Sequence, residues 1–264
     1  MNFPARTPFR ESSYAYVSAP IETTNLLLQR LSFDELGSLS PHFERIDMSR
    51  NQRLAQAGKV QDMLYFPEGG ITSTMAIDGA RTEVGLIGRE GLVGIGRILG
   101  SDVEMFDTCV QVDGFTALAI PAEIIRDRMD NSIELRRLLS HYLLFHMLQL
   151  SYSVVSRSQQ MMEARLARWL LMCHDRMPRD DIPVTHEFLA QMISAQRSGV
   201  TVTLHLLEGE GLIRSTRGKV AIRDRAKLEA LAGCTYGKAE ARYRELIGLF
   251  GKSAGGGAAG AALA

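Results

Sequence analysis

Residues 121–177, PAEIIRDRMDNSIELRRLLSHYLLFHMLQLSYSVVSRSQQMMEARLARWLLMCHDRM, form almost sixty residues of helical texture, and this run dictates the plan of the chain. A helix that long cannot bury its apolar residues against itself and needs partners on its flanks. Pro121 suits a first helical position, and Asn131 with Glu134 makes a capping-box pattern that restarts the helix. Beyond it, Leu135, Leu138, Tyr142, Phe145, Gln149 and Tyr152 follow a 3-4 heptad rhythm. A second stripe of Leu139, Leu143, His146 and Leu150 covers the neighbouring face. The expected partners are a domain of the same chain and a second copy of the helix. Leu166, Trp169, Leu170 and Cys173 then open a new stripe, which places a new domain near residue 160.

Upstream the texture is different. Ser32 followed by Glu35 is a capping-box signature for a short helix. From about 44 to 120, segments such as DMLYFPEGG, ITSTMAIDGARTEVGLIG and TCVQVDGFTALAIP alternate apolar and polar residues between turn signals. That density of short strands predicts a small antiparallel barrel or roll. Residues 1–22 are polar and aperiodic, and GKSAGGGAAGAALA at the other end is Gly/Ala low complexity, so both ends are expected to be disordered.

Composition removes several function classes. The formal net charge is zero, so an anionic partner must be met by a local patch. No apolar run approaches the roughly 20 residues of a membrane span, and the N-terminal segment lacks a signal-peptide core. No membrane partner is expected. Cys109, Cys173 and Cys234 are far apart, with no spacing suited to a disulfide framework, zinc or an iron–sulfur site. They are read as idle thiols in a reducing cytoplasm, with no metal and no cofactor. No P-loop, HExxH or nucleophile elbow occurs, so an enzyme is not expected.

The chemistry lies in HEFLAQMISAQRSGVTVTLHLLEGEGLIR, which starts at His186. Thr185 is placed to cap a short helix bearing Phe188, Leu189, Met192 and Ile193, and Ser194-Ala195 is a tight break. The next helix buries Val200, Leu204 and Leu207 and turns Gln196, Arg197, Ser198, Thr201 and His205 outward, with no acid before Glu208. Two short helices joined by such a turn make a helix-turn-helix, whose second helix enters the DNA major groove. A short, polar, acid-free face suits a groove flanked by phosphates, and Arg197 is placed for bidentate contact with a guanine. A β-hairpin follows, turning at TRGK and carrying Arg214, Arg217, Lys219 and Arg223. This wing is the basic patch that the net charge conceals.

A glycine-punctuated roll, a long helix and a C-terminal winged helix-turn-helix together resemble the Crp/Fnr superfamily of bacterial transcription regulators, over residues 30–235. RLARWLLMCHDRM and THEFLAQMISAQRSGVTVTLHLLEGEGLIRSTRGKVAI are the segments most like the family. The resemblance implies an α+β fold: an antiparallel, cupin-like or jelly-roll sensor domain (23–130), a dimerisation helix (131–159), a winged helix-turn-helix (160–236) and a tail (237–264). It implies a cytoplasmic homodimer on an inverted-repeat site in double-stranded DNA, with RNA polymerase and an unidentified small-molecule effector as further partners. Thr185 and Gln196 match phosphate-contacting positions, Arg197 the base-reading arginine, and Arg217, Gly218 and Lys219 the wing that touches the backbone. Ser198 replaces a base-contacting glutamate, Val202 stands where some members have an arginine, and Ser194 replaces the glycine usual in the turn.

The sensor half departs further from the family. GREGLVGIGRILG falls on the cyclic-nucleotide phosphate cassette, but Ile95 stands in place of the ribose-binding glutamate. Phe106 and Asp107 take the place of the arginine that neutralises the cyclic phosphate. Cyclic AMP is therefore not the expected effector; the alternative is a cyclic-nucleotide-responsive activator with an atypical pocket. Gly91, Gly94 and Gly96 are read as turn residues of the roll. His141 and His146 lie five apart and point in different directions, so both are read as structural rather than haem ligands.

Overall fold

The computed structural model describes residues 19–78, 80–112 and 114–252. The ends expected to be disordered lie largely outside these residues, as do Gly79 and Asp113 of the two hairpin turns. Ser32 caps the first helix, α1 (Phe33–Leu39), accepting from the Glu35 N–H at 3.3 Å. The other half of the expected box is made elsewhere. Glu134, 102 residues later, accepts from the Ser32 N–H at 2.5 Å and from its hydroxyl at 2.9 Å. The Glu35 carboxylate instead takes Arg128 at 2.7 Å and the Ser132 hydroxyl at 2.8 Å.

The roll follows as β1 (Glu44–Met48), β2 (Arg53–Ala55), β3 (Met63–Pro67), β4 (Ile71–Asp78), β5 (Ala80–Ile87), a turn of helix α2 (Ile95–Ile98), β6 (Asp107–Val112) and β7 (Phe115–Pro121). The strands form two antiparallel sheets, β1-β7-β3 and β2-β6-β4-β5. Period-2 patterning sets the register: buried Leu64 and Phe66 of β3 lie opposite buried Ile120 and Leu118 of β7.

The long helical run divides into α3 (Ala122–Asn131), α4 (Ile133–Gln159) and α5 (Met162–His174). The restart falls one residue later than the sequence pattern predicts. Asn131 still belongs to α3, where its side-chain amide donates to the Asp127 carbonyl at 3.0 Å. The cap of α4 is Ser132, whose hydroxyl accepts from the Leu135 N–H at 3.1 Å.

The seam expected on α4 needs correction. Leu135, Leu138, Tyr142, Phe145 and Gln149 are buried in the chain's own core, and Tyr152 packs against the same core. The roll and a C-terminal helix already cover them, so they are not open to a second copy. A third face stays outward, carrying Ile133, Leu144, Met147 and Val154 at 43–73% exposure, and Met161 just past the helix end is exposed as well. Exposed Arg137, Ser140, Ser151 and Ser158 complete a continuous 4-3 spacing along this face.

The C-terminal part runs β8 (Asp181–Ile182), α6 (His186–Met192), α7 (Arg197–Gly209), β9 (Ile213–Thr216), β10 (Lys219–Ile222), α8 (Arg225–Ala232) and α9 (Lys238–Leu246). Its core is continuous with the roll: Ile71, Met75, Leu86 and Val112 pack in one cluster with Trp169, Leu189, Val200 and Leu204. Residues 237–252, expected as part of a tail, are structural. Gly237, at φ +91°, opens α9. The rings of Tyr243 and Phe250 lie 5.0 and 5.8 Å from that of Phe145, and the Tyr243 hydroxyl donates to the Glu90 carbonyl at 2.9 Å.

Candidate nucleic-acid interface

Thr185 caps α6 as its spacing predicts, its hydroxyl accepting from the Phe188 N–H at 3.2 Å. Ser194 sits in the left-handed region at φ +51°, which is where a glycine would cost least. The turn closes with the Ala195 N–H on the Ala190 carbonyl at 2.8 Å. Gln196 is the first residue outside α7 and makes no side-chain capping bond. Val200, Leu204 and Leu207 are buried beneath the helix, while Gln196, Arg197, Ser198, Val202 and His205 are exposed. Thr201 is half-buried: its hydroxyl donates to the Arg197 carbonyl at 3.0 Å and lies 3.0 Å from His186 Nδ1.

Glu187, which the sequence places in the first turn of α6, also neighbours this face. The Glu187 carboxylate is 3.8 Å from Arg197 Nε, with both side chains at least 70% exposed. A solvated pair of this kind is worth roughly 0–1 kcal/mol, so it does not hold Arg197 in one place.

The wing is β9 paired with β10 across a turn in which Gly218 adopts φ +78°. Arg214, Arg217, Lys219 and Arg223 are all exposed. β8 also pairs with β10, and this brings Asp181 to Lys219: Nζ lies 2.8 Å from the carboxylate. The Lys219 hydrogen bond holds the Asp181 carboxyl below the usual carboxylate range. Glu208 is spent structurally, its carboxylate accepting from the Ser215 N–H at 3.1 Å. His186 joins three elements: Nδ1 lies 3.0 Å from the Thr201 hydroxyl on α7, and Nε2 lies 3.4 Å from the Ser215 hydroxyl on β9. Nothing in the local spacing marks His186 for this role, because the wing strand arrives 29 residues later.

Residues 164–231 match the Crp-like helix-turn-helix domain. The match assigns residues 164–231 to that domain, and the chain as a whole shares its fold with regulators of the Crp/Fnr family. A Crp/Fnr-family transcriptional regulator from Eubacterium rectale aligns at 19% identity, TM-score 0.60, over 78% of this chain and 97% of the other. FixK2 of Bradyrhizobium japonicum aligns at 11% identity, TM-score 0.64, over 73% and 98%. A CRP-family regulator from Thermus thermophilus aligns at 21% identity, TM-score 0.59, over 72% and 96%. These are likenesses of fold. A search of curated proteins finds no match.

The GREGLVGIGRILG segment of the roll is tied inward. Glu90, of GREG, is fully buried and paired with Arg176 at 2.6 Å. Gly91 lies against Tyr142, whose hydroxyl donates to the Leu92 carbonyl at 3.1 Å; a Cβ on Gly91 would sit 2.4 Å from that hydroxyl. Gly94, at φ +107°, precedes α2, and Gly96 N–H donates to the buried Glu104 carboxylate at 3.1 Å. Burial pushes the Glu104 carboxyl up. Asp107 is buried, accepting from the Ala57 N–H at 2.9 Å, with Arg53 Nε 4.0 Å away. His141 Nδ1 is 3.1 Å from the Leu246 carbonyl. His146 is buried with no hydrogen-bond partner on either ring nitrogen, and burial, with the Arg176 charge behind it, pulls its pKa down to about 4.

Among the described residues no three His, Cys, Asp or Glu side chains converge as a metal site, and no helix is long and apolar enough to cross a membrane. The three cysteines are unbridged, and burial pushes the Cys173 thiol up.

Proposed function

We propose that the chain is a sequence-specific DNA-binding transcription regulator that acts as a cytoplasmic homodimer on an inverted-repeat site. The observation that carries this reading is the exposed N-terminal turn of α7, from Gln196 to Ser198, standing beside a basic wing that His186 ties to it. Arg197 reads a base, most naturally a guanine, while Thr185, Gln196, Arg217, Gly218 and Lys219 position the phosphate backbone. Ser198 and His205 face the groove, and Thr201 supports the helix more than it reads bases, since its hydroxyl is already engaged.

The dimer forms along the outward face of α4, from Ile133 through Leu144 and Met147 to Val154. RNA polymerase is the proposed downstream partner, and the activity is binding rather than catalysis. Cyclic AMP and cyclic GMP are not ligands, because Asp107 stands where a cyclic phosphate needs a cation, and desolvating an unpaired anion there is costly. The test is a binding selection on randomised duplex DNA, with wild type beside Arg197→Ala. A palindrome with half-sites about 34 Å apart is the expected product. Recovery of no palindrome by the wild-type protein removes the groove-reading role of α7.

A further inference from the structure

The roll, the α4–α5 joint and the helix-turn-helix meet around a cavity of about 30 Å³. Arg157 comes from the end of α4, Arg165 and Arg168 from α5, and Glu83 from β5; Ser153 and Ser156 complete the polar wall. Met192 and Ile193, where α6 runs into the turn, close the opposite side.

The charges in this cavity do not balance. Arg157 donates to the Ser194 hydroxyl and to the carbonyls of Glu83 and Met192. Arg165 donates to the Ser194 carbonyl at 3.3 Å. Arg168 donates to the carbonyls of Thr235 and Gln149 and to the Ser153 hydroxyl, at 3.0–3.2 Å. All these acceptors are neutral. The oxygens of Glu83 are taken by the Ser73 hydroxyl at 2.5 Å and by the Trp169 indole N–H at 2.7 Å, not by a guanidinium. Burial lowers the affinity of all three arginines for their protons, Arg168 furthest, to about 10. It pushes Glu83 up to about 7, so the one carboxylate lining the cavity is only partly ionised; Glu240, off the lining, is the other carboxylate whose charge acts on Arg168.

We propose that this cavity binds a small oxyanion of the size and charge of inorganic phosphate, held by Arg157, Arg165 and Arg168. Three partly buried guanidiniums that outnumber the carboxylates beside them favour an anion, and their planar forks match oxyanion geometry. By the same measure of volume a single water needs roughly 10–15 Å³, so the site takes a group of a few heavy atoms and is far too small for a nucleotide. A bound anion would touch the roll, the joint helices and the start of the helix-turn-helix turn at once. Its influence on DNA affinity rests on the function proposed above; its binding does not.

Trp169, the sole tryptophan, donates to Glu83 at the cavity wall and is the reporter. The full-length chain is titrated with inorganic phosphate, against sodium chloride of equal ionic strength, by tryptophan fluorescence and calorimetry without DNA. A saturable one-site response to phosphate, absent in chloride, is expected. Arg165→Gln should weaken it about ten-fold, the loss of one charge-assisted hydrogen-bonding group, and Arg165→Lys should restore part of the loss. Glu83→Gln should move affinity the other way, tightening it by removing the opposing carboxylate. Circular dichroism confirms that each variant is folded. Identical responses to phosphate and chloride, or parent-like affinity in both Arg165→Gln and Glu83→Gln, overturn the site. A chain that binds phosphate but selects no DNA sinks the regulator reading and leaves this one standing.

Discussion

Arg176, just past the end of α5, and Glu90, just beyond β5, form an ion pair of 2.6 Å with both side chains withdrawn from water. The same guanidinium donates to the Met172 carbonyl at 2.7 Å and stands 5.3 Å from the centroid of the Phe250 ring. Removing one member leaves a buried charge alone. Arg176→Met or Glu90→Gln should each cost on the order of 3–5 kcal/mol in chemical denaturation. The double variant Arg176→Met/Glu90→Leu should cost clearly less than the two single losses added. Additive losses would mean that the pair does not act as a unit.

The dimer face is open to a direct contrast. Leu144→Asp with Met147→Asp should give a folded monomer by sedimentation, because both side chains are exposed in the single chain. Leu138→Asp with Phe145→Asp should unfold the protein instead, since these charges would enter its own core. A folded monomer from the second pair, and an intact dimer from the first, would return the seam to the inner face.

Lys219 is engaged before DNA arrives, because Asp181 holds its ammonium at 2.8 Å. Asp181→Asn should therefore strengthen DNA binding on all sequences and steepen its salt dependence. Lys219→Ala should weaken binding with little change in base preference and flatten the salt slope by about one unit. Arg197→Ala should relax preference at one base pair at a cost of roughly 1–3 kcal/mol per half-site. Filter binding at several salt concentrations separates the three.

Two buried groups pull stability in opposite directions with pH. Glu83 ionises near its ordinary value of 4.5 when unfolded but at about 7 in the fold, so its contribution is lost as pH rises through that window. His146 takes its proton at 6.5 when unfolded but resists it down to about 4 in the fold, so its contribution is lost as pH falls from 6.5 to 4. Between about 4.5 and 6.5 the two offset each other. His146→Leu should expose a decline toward pH 7, and Glu83→Gln a rise from pH 4 to 6.5, each about 1.4 kcal/mol per pH unit. Urea denaturation across pH measures both, and parent-like curves in both variants would contradict the assignment.

The helix-turn-helix was readable because its signals are local. Thr185 caps three residues ahead, Val200, Leu204 and Leu207 share one helical face, and Gly218 sits at the wing turn. The burial of the expected seam was not, because α4 is apolar on most of its surface. The stripe of Leu135, Tyr142 and Phe145 is the purer one, yet it is the buried one; Arg137, Ser140 and Ser151 dilute the outward face. The Lys219–Asp181 and Arg176–Glu90 pairs join residues 38 and 86 apart. Strand pairing and domain packing make those meetings, and no local spacing encodes them. The same holds for α9, whose Gly237 opening resembles a loop until Tyr243 is seen against Phe145.

The hydrogen bond from Tyr243 to the Glu90 carbonyl spans 153 residues, and it sets an order of events during synthesis. The roll leaves the ribosome first, yet α9 and Phe250, which cover Phe145, emerge long after it. Until they do, the nascent N-terminal half carries an uncovered aromatic cluster, a surface that chaperones recognise. The helix-turn-helix half closes through contacts within residues 162–232 and with Ile71, Met75, Leu86 and Val112, which emerge before it, and is under no such delay.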